Sequence, residues 1–199
     1  MMTKETPLLK SSDYPTSVQF DFSDGTFEPV KQRTDRHVSD LSMMFHDEQA
    51  VEQAIADGDK IVYEIWYHPF ETSESDMALG VTRINPGKVG DEFHMTKGHI
   101  HERDDQAEIY FCVQGEGYLL LQTLDGEFQA EQWSPGTISH IPPMWAHRVV
   151  NTGDDLLVFV ASYHLCAGHD YEPVIERGFK KLVLDRGGGV AFVDNERWN

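Results

Sequence analysis

The sequence predicts an all-β barrel or sandwich with an N-terminal arm and one main helix. Short segments rich in Val, Ile, Tyr and Phe recur along most of the chain, separated by Gly, Pro and Asp. Such segments are typical of strands joined by turns, and many in succession indicate a closed or two-layered β-fold. The 199 residues suffice for one hydrophobic core and are few for two. We therefore expect one domain over residues 40–199, preceded by an arm over residues 1–39.

Each predicted element follows from a local pattern. Residues 1–39 are polar and show no sustained period, so we expect at most one or two short strands there. Over residues 42–58 the apolar positions fall near helical spacing and Gly58 can serve as a C-cap, which predicts the main helix. The strands predicted after it are 61–68, 78–84, 98–101, 108–113, 117–121, 137–141, 148–151 and 156–163. A glycine-rich turn predicts a closing hairpin of 180–184 with 190–193.

Composition excludes several classes of protein. The chain has 16 Lys and Arg against 34 Asp and Glu, a net charge of -18, which repels nucleic acids and anionic membranes. The longest apolar run, residues 156–161, is far below the roughly 20 residues that span a bilayer. Residues 1–17 lack the apolar core of a signal peptide. Only Cys112 and Cys166 are present, which suits a reducing compartment, so we expect a cytoplasmic protein.

Two histidines, His99 and His101, flank one residue in a predicted strand. Alternate side chains of a strand share a face and lie about 7 Å apart, so both imidazoles can reach one metal ion. Glu108 opens the next predicted strand, and His147 stands near the start of a later one. Three imidazoles and a carboxylate suit Fe(II), Mn, Ni or Zn and leave coordination positions for substrate or water. The alternative interpretation is a solvated histidine pair and a solvated carboxylate at a strand edge.

These four residues occur in the order of the two cupin motifs. The residues that resemble the first motif are His99, His101, Glu108 and Gly115, and those that resemble the second are Gly136, Pro142, His147 and Asn151. Two departures stand out. Six residues separate His101 from Glu108, where the general pattern has three or four. Met144 occupies a position where the second motif often has Gly.

Longer stretches resemble the cupin-type glucose-6-phosphate isomerases of archaea and some bacteria. The matching stretches are residues 96–101, 108–110, 142–148 and 167–171, within a resemblance that extends from about Tyr63 to residues 194–198. It implies a jelly-roll cupin barrel, a homodimer and one divalent metal ion per subunit, foremost Fe²⁺, with Mn²⁺, Ni²⁺ or Zn²⁺ as alternatives. The implied reaction interconverts D-glucose 6-phosphate and D-fructose 6-phosphate.

The same resemblance assigns roles to residues. It implies that the metal ligands are His99, His101, Glu108 and His147. It implies that Tyr63, Tyr163 and His169 line the sugar pocket, and that Thr82, Thr96 and the Gly98 N–H bind phosphate. Hydroxyls and a glycine-exposed amide suit that task. Lys97 and Arg83 are further cations whose contribution the sequence leaves open.

The strand that begins at Glu108 allows a separate deduction. Its period of two places Glu108, Tyr110 and Cys112 on one face. Tyr110 therefore lies beside the expected metal ion, with a packed barrel aromatic as the alternative. Glu108 is the expected base, and Tyr110 and His169 are the further catalytic candidates. We expect Cys112 to be a buried, inert thiol.

Three questions of chemistry stay open at this stage. A cis-enediol route with proton transfer and a metal-assisted hydride shift fit the residues equally. A cupin Fe(II) dioxygenase can use the same ligands, although an uncharged substrate gives no reason for the phosphate cluster. A non-catalytic sugar-sensing cupin is the third possibility, although such regulators usually carry a basic helical domain and this acidic chain offers none.

Overall fold

The computed structural model describes residues 15–70 and 76–198, and antiparallel strands dominate it. Its two α-helices are α1 (Glu48–Ala56) and α2 (Glu172–Arg177). The strands in chain order are β1 (Gln19–Asp21), β2 (Thr26–Glu28), β3 (Gln32–His37), β4 (Ile61–Pro69), β5 (Met77–Ile84), β6 (Lys88–Val89), β7 (Glu92–Phe93), β8 (Glu108–Gln114), β9 (Gly117–Gln122), β10 (Phe128–Trp133), β11 (Ile138–Ile141), β12 (Ala146–Asn151), β13 (Leu157–His164), β14 (Lys181–Asp185) and β15 (Val190–Asp194).

Two sheets enclose the main core. The larger has six strands in the order β11-β8-β13-β5-β4-β3, and the smaller has the order β10-β9-β12. Buried side chains from both sheets meet in one cluster, with Cys112 and Phe159 from the larger and Leu119 and Val149 from the smaller. A four-stranded sheet, β15-β14-β7-β6, and the hairpin β1-β2 complete the layers. This arrangement confirms the predicted all-β jelly-roll.

The predicted strands are present within two residues at each end, with one exception. Residues 98–101 form only isolated bridges, His99 with His147 and Ile100 with Asp170. Consecutive residues here pair with different segments of the chain, and Gly98 adopts a positive φ that interrupts the extended run. The predicted strand at residues 98–101 is therefore wrong, although the pairing with His147 still brings the histidines together.

The N-terminal region contains more structure than the sequence indicates. Three strands lie within its described part, where at most two were predicted, and β3 forms an edge of the six-stranded sheet beside β4. From β2, Phe27 packs on Trp66, Val81 and Val158. The arm therefore covers the outer face of its own sheet. Residues 1–14 lie outside the described part, and the division of the chain at residue 39 stays a prediction.

The predicted helix over residues 42–58 is too long at its start. A 3-10 turn spans Ser39–Met44, Phe45 is extended, and Asp47 then caps α1 by accepting a hydrogen bond from the Ala50 N–H. The apolar spacing before Asp47 belongs to the 3-10 turn rather than to the helix. The predicted C-terminal end holds, because Gly58 follows the last turn with φ +121°. The six-residue helix α2 was not predicted.

Within the described part of the chain, neither helix has the length and hydropathy required to cross a membrane.

Candidate metal centre and substrate cleft

The predicted ligands come together beside a cleft. The ligand atoms of His99, His101, Glu108 and His147 all lie within 4.8 Å of one another. The ring centroid of His99 is 5.6 Å from that of His101 and 4.2 Å from that of His147. Paired backbone hydrogen bonds between His99 and His147, of 2.9 and 3.2 Å, set this arrangement. Glu108 joins it as the first residue of β8.

Backbone carbonyls orient two of the imidazoles. His101 Nδ1 lies 3.0 Å from the Gln106 carbonyl, and His147 Nδ1 lies 3.2 Å from the Trp145 carbonyl. When each Nδ1–H donates to its carbonyl, the Nε2 lone pair is directed into the cluster, as metal-ligating histidines require. Gln106 belongs to the six-residue interval between His101 and Glu108. The longer spacing therefore supplies the group that orients His101.

The cluster has the properties of a divalent metal site. The Nε2 atoms of His99 and His147 are buried and have no hydrogen-bond partner among the described residues. Unpaired buried polar atoms are costly, and coordination to a cation would satisfy both. Burial, aided by the neighbouring histidines, lowers the pKa of His99 well below its ordinary value, so this ligand is neutral. These residues therefore fit the metal ion that the sequence predicts.

Glu108 is the only carboxylate of the cluster. Burial tends to raise the pKa of Glu108, but the hydrogen bond with His101 and the close contact with His147 outweigh it and hold that pKa below its ordinary value. The Glu108 Oε2 atom lies 3.2 Å from His101 Nε2 and 3.1 Å from His147 Nε2. The approach to His147 lacks hydrogen-bond geometry, so we treat it as a close electrostatic contact. Glu108 is thus ionised. Burial tends to lower the pKa of His101, but the hydrogen bond with Glu108 outweighs it and raises that pKa.

The cleft brings together nearly all of the predicted site residues. Those that line it are Tyr63, Thr82, Thr96, Gly98, His99, Glu108, Tyr110, His147, Tyr163 and His169. The ligand His101 does not line it. Lining residues without a predicted role are Ile65, Tyr67, Gly80, Lys97, Phe159, Ala161 and Tyr171. The shared location agrees with the sequence analysis, while the individual roles stay predictions.

Hydrogen-bond donors are available along the 96–98 segment. The Thr96 hydroxyl oxygen accepts the Val149 N–H at 3.1 Å, which leaves its own hydrogen free to donate. The Gly98 N–H donates to no acceptor among the described residues. Gly98 has φ +75°, and a Cβ there would lie 2.8 Å from Phe179 and 3.0 Å from the His147 carbonyl. Only glycine fits this position without displacing its neighbours.

The two additional cations behave differently. Lys97 lines the cleft, and its Nζ lies 4.3 Å from the centroid of the Tyr171 ring. Arg83 does not line the cleft. Its guanidinium lies 5.2 Å from the Trp66 ring, and its Nε lies 3.9 Å from a carboxylate oxygen of Glu64. Alternation along β5 turns Arg83 away from the face that carries Thr82.

Aromatic rings surround the ligand cluster. The Tyr110 ring centroid lies 5.5 Å from that of His147, the His169 centroid lies 4.4 Å from that of His99, and Tyr163 lies 5.5 Å from His169. Burial, with Glu108 nearby, raises the pKa of Tyr110 well above its ordinary value, so the phenol keeps its proton. Burial also lowers the pKa of His169.

Residues 108–112 follow the predicted alternation. Glu108, Tyr110 and Cys112 are buried, whereas Ile109 and Phe111 are exposed. Cys112 does not line the cleft, and burial raises the pKa of its thiol to about 11. This agrees with the expectation of an inert thiol.

Two residues without a predicted role stand beside predicted site residues, Tyr171 in the cleft and Arg36 next to it. The Tyr171 ring is nearly parallel to that of His169, with 6.1 Å between centroids. Its position in the 167–171 stretch was the available signal. Burial raises the pKa of Tyr63 and the nearby charge of Arg36 opposes this shift. Arg36 borders a smaller pocket that shares Tyr63, Lys97 and Tyr171 with the cleft. No sequence pattern distinguishes Arg36 from the other polar residues of the arm.

Comparison with known proteins identifies the family. A family model described as "Glucose-6-phosphate isomerase (GPI)" matches residues 35–197. The chain belongs to the glucose-6-phosphate isomerase family. The glucose-6-phosphate isomerase of Thermococcus litoralis is 44% identical over 184 residues, 92% of this chain and 96% of the relative. That of Thermococcus gammatolerans is 45% identical over 185 residues, 93% of this chain and 97% of the relative.

Among solved structures, an oxalate decarboxylase from Bacillus subtilis is similar with a TM-score of 0.43 and 21% identity. The match covers 51% of this chain and 25% of that chain. The much higher identity to the glucose-6-phosphate isomerases, over nearly the whole length, sets the family.

Proposed function

We propose that this chain is a metal-dependent aldose–ketose isomerase that interconverts D-glucose 6-phosphate and D-fructose 6-phosphate. The observation that carries the proposal is one cleft that combines a three-histidine, one-carboxylate cluster with the donor segment 96–98. Relatives that are 44% and 45% identical to this chain, over almost their full length, are named glucose-6-phosphate isomerase. The metal cluster suits the sugar end of the substrate, and the donor segment suits its phosphate.

The phosphate end relies on hydroxyl and amide donors. A sugar phosphate carries close to two negative charges, and the chain as a whole has a net charge of -18. Local donors must therefore oppose the field of the protein. In this proposal Thr82, Thr96 and the Gly98 N–H hold the phosphate, with Lys97 as the nearby cation. Tyr63 and Tyr163 border the sugar.

The isomerisation moves hydrogen between C2 and C1 of the sugar. A divalent ion held by His99, His101, Glu108 and His147 would supply Lewis-acid polarisation of the substrate oxygens. Glu108 removes the C2 proton and returns it to C1, while the proton of the C2 hydroxyl passes to the C1 oxygen. A carboxylate that gives its charge to a cation is a weak base, so one of its oxygens must stay available. The contacts of Glu108 with His101 and His147 both use Oε2, so in this proposal Oε1 is the oxygen that carries the proton.

Tyr110 and His169 complete the proposed machinery. Both rings adjoin the ligand cluster and both line the cleft. The phenol of Tyr110 keeps its proton and can donate a hydrogen bond to a sugar oxygen. His169 borders the sugar on the other side of His99 and helps to exclude water. A hydride shift between C1 and C2 is the alternative route, which isotope exchange distinguishes.

A coupled assay on fructose 6-phosphate tests the proposal. The protein is stripped of metal and then assayed with and without Fe²⁺, Mn²⁺, Ni²⁺ or Zn²⁺, while oxygen uptake is recorded in parallel. We expect glucose 6-phosphate to form only with metal, foremost Fe²⁺, and without oxygen consumption. Oxygen uptake without isomerisation would indicate a dioxygenase instead. Binding of the sugar phosphate without any turnover would indicate a sensor.

We also propose a homodimer in the cytoplasm. The outer face of β8 and β11 exposes three neighbouring apolar side chains, Ile109, Phe111 and Ile138, and β11 is an edge strand. Exposed apolar groups on a sheet edge favour contact with a second copy. Both cysteines are free thiols, which suits a reducing compartment. Sedimentation of the intact chain tests the assembly, and a monomer at every concentration would contradict it.

A further inference from the structure

Arg148 is a buried cation that the proposed chemistry does not use. It follows His147 in β12, and the alternation of that strand turns its side chain to the opposite face. Only 3% of the residue is exposed. Its guanidinium donates to the Lys97 carbonyl at 2.7 Å and contacts the sulfur atoms of Met95 and Met44 at 3.1 and 3.3 Å.

The environment of this guanidinium is unusual for a buried charge. One face lies 4.6 Å from the centroid of the Phe179 ring, and Nε has no hydrogen-bond partner in the part of the chain that the structure describes. No carboxylate of residues 15–70 or 76–198 forms an ion pair with it. Burial lowers the pKa of Arg148 to about 10, although the charge of the buried Glu92 opposes this shift. A buried guanidinium that no carboxylate contacts directly is costly, so a purely structural role would favour an apolar residue.

The single strong acceptor of Arg148 belongs to the peptide that carries the Gly98 N–H. The Lys97–Gly98 peptide is trans, so its C=O and its N–H point in opposite directions. Because Arg148 binds the carbonyl of this peptide, the N–H of the same peptide points away from Arg148. Gly98 lines the cleft, so we infer that its N–H faces the cleft. A charge-assisted bond to the carbonyl also polarises the peptide and strengthens its N–H as a donor.

We propose that Arg148 is a positioning residue for the phosphate group, acting through the Lys97–Gly98 peptide. It fixes the orientation of the Gly98 N–H and adds a positive charge on the far side of that peptide. The inference rests on the proposed function, because it requires a ligand that carries phosphate. When the phosphate binds, it places a second anion near the guanidinium, on the far side of the peptide that Arg148 holds. Arg148 itself does not touch the substrate.

Binding measurements on the metal-loaded protein test this role. The probes are D-glucitol 6-phosphate and inorganic phosphate, with D-glucitol as the uncharged counterpart of the first. We expect Arg148→Met to weaken both phosphate-bearing probes about 10- to 100-fold. The Kd for D-glucitol, the metal content and kcat at saturating fructose 6-phosphate should change less than twofold. KM for fructose 6-phosphate should rise in parallel with the two weakened Kd values.

Two further variants separate position from charge. Arg83→Met removes a cation that is paired with Glu64 and lies outside the cleft, and it should leave every Kd unchanged. Arg148→Lys keeps the charge at the buried site and should recover part of the lost affinity. If Arg148→Met does not fold, Arg148→Lys serves as the test instead. Its affinity for D-glucitol 6-phosphate should then be lower than that of the wild type.

The Gly98 amide gives a direct readout. In the wild type its NMR resonance should shift downfield when D-glucitol 6-phosphate binds, and in Arg148→Met that shift should shrink. Unchanged phosphate affinity in Arg148→Met would overturn the proposal, as would equal weakening of D-glucitol and D-glucitol 6-phosphate. An equal effect of Arg83→Met would overturn it too, because net charge would then explain the result. A wild type that binds D-glucitol 6-phosphate but isomerises nothing would refute the proposed function alone.

Discussion

The metal cluster and the 96–98 donor segment, which we call the metal end and the donor end of the cleft, are constructed from different chemical groups. At the metal end, four side chains supply every ligand atom, and backbone carbonyls only orient them. At the donor end, the Gly98 N–H and the Thr96 hydroxyl are held in place by their neighbours in β12. A side-chain site is abolished by a change of its own residues. A backbone site is sensitive to whatever holds the peptide, which here includes Arg148.

The largest effect is expected at the metal end. His99→Ala and His147→Ala each remove one nitrogen from a four-ligand cluster, so we expect metal binding and isomerase activity to fall together by at least about 100-fold. The jelly-roll should survive, because its core consists of many other apolar residues. Metal analysis, turnover and circular dichroism check the three parts.

Chelation of the wild-type protein is the control for those variants. Removal of the metal should reproduce the loss of activity without any mutation, and adding it back should restore turnover. Full isomerase activity of the chelated, metal-free protein would contradict the role of the cluster. It would also remove the contrast between the two ends of the cleft.

The next effect separates chemistry from metal binding within the same cluster. Glu108→Gln keeps three histidines and a weakly coordinating amide oxygen, so we expect most of the metal to remain while kcat falls by about 10² to 10⁴. If Glu108 moves the proton, some solvent deuterium should enter C1 of fructose 6-phosphate or C2 of glucose 6-phosphate. Near wild-type turnover of the variant at full metal occupancy, without label in the product, would indicate the hydride shift.

A smaller effect is expected at the donor end. Thr96→Val preserves the shape of the side chain but removes one hydroxyl, and a hydrogen bond to a charged group is worth about 1.5 to 3 kcal/mol. We expect the loss mainly in KM for fructose 6-phosphate. Turnover of unphosphorylated fructose should be slow in the wild type and unaffected by the change. An equal effect on both substrates would place Thr96 away from the phosphate.

The contrast between the two ends also explains what the sequence can predict. At the metal end, residue types and spacing already indicate a possible ligand set, with a solvated histidine pair as the alternative, and the resemblance to the cupin motifs selects the ligand set. At the donor end Gly98 and Thr96 were implied by resemblance, but Arg148 was not, because the orientation of a peptide leaves no compositional signal. The direction of a carbonyl depends on pairing between segments about 50 residues apart, which only the fold reveals.

The same reasoning applies to the fold. Strands β8 and β13 carry dense apolar sequence and were predicted within two residues, whereas β3 and β10 are polar edge strands with no such pattern. Met144 illustrates a local departure. It has φ +69°, the left-handed region that favours glycine, so the backbone keeps the conformation for which the second cupin motif often uses Gly. The departure from the motif thus changes the side chain but not the turn.

The smallest effect is expected at Cys112, which shares a face of β8 with Glu108 and Tyr110 but lies outside the cleft. Cys112→Ala should therefore change kcat/KM by less than about twofold, and the loss of a buried sulfur should lower stability by about 1 kcal/mol. Since burial raises the pKa of Cys112 to about 11, iodoacetamide at pH 8 should leave it unlabelled in the folded protein. The partly exposed Cys166 provides the internal control for labelling. Inactivation by alkylation of Cys112 would mean that the cleft extends further along β8 than its lining residues indicate. Cys112 would then belong to the metal end of the cleft rather than to the core.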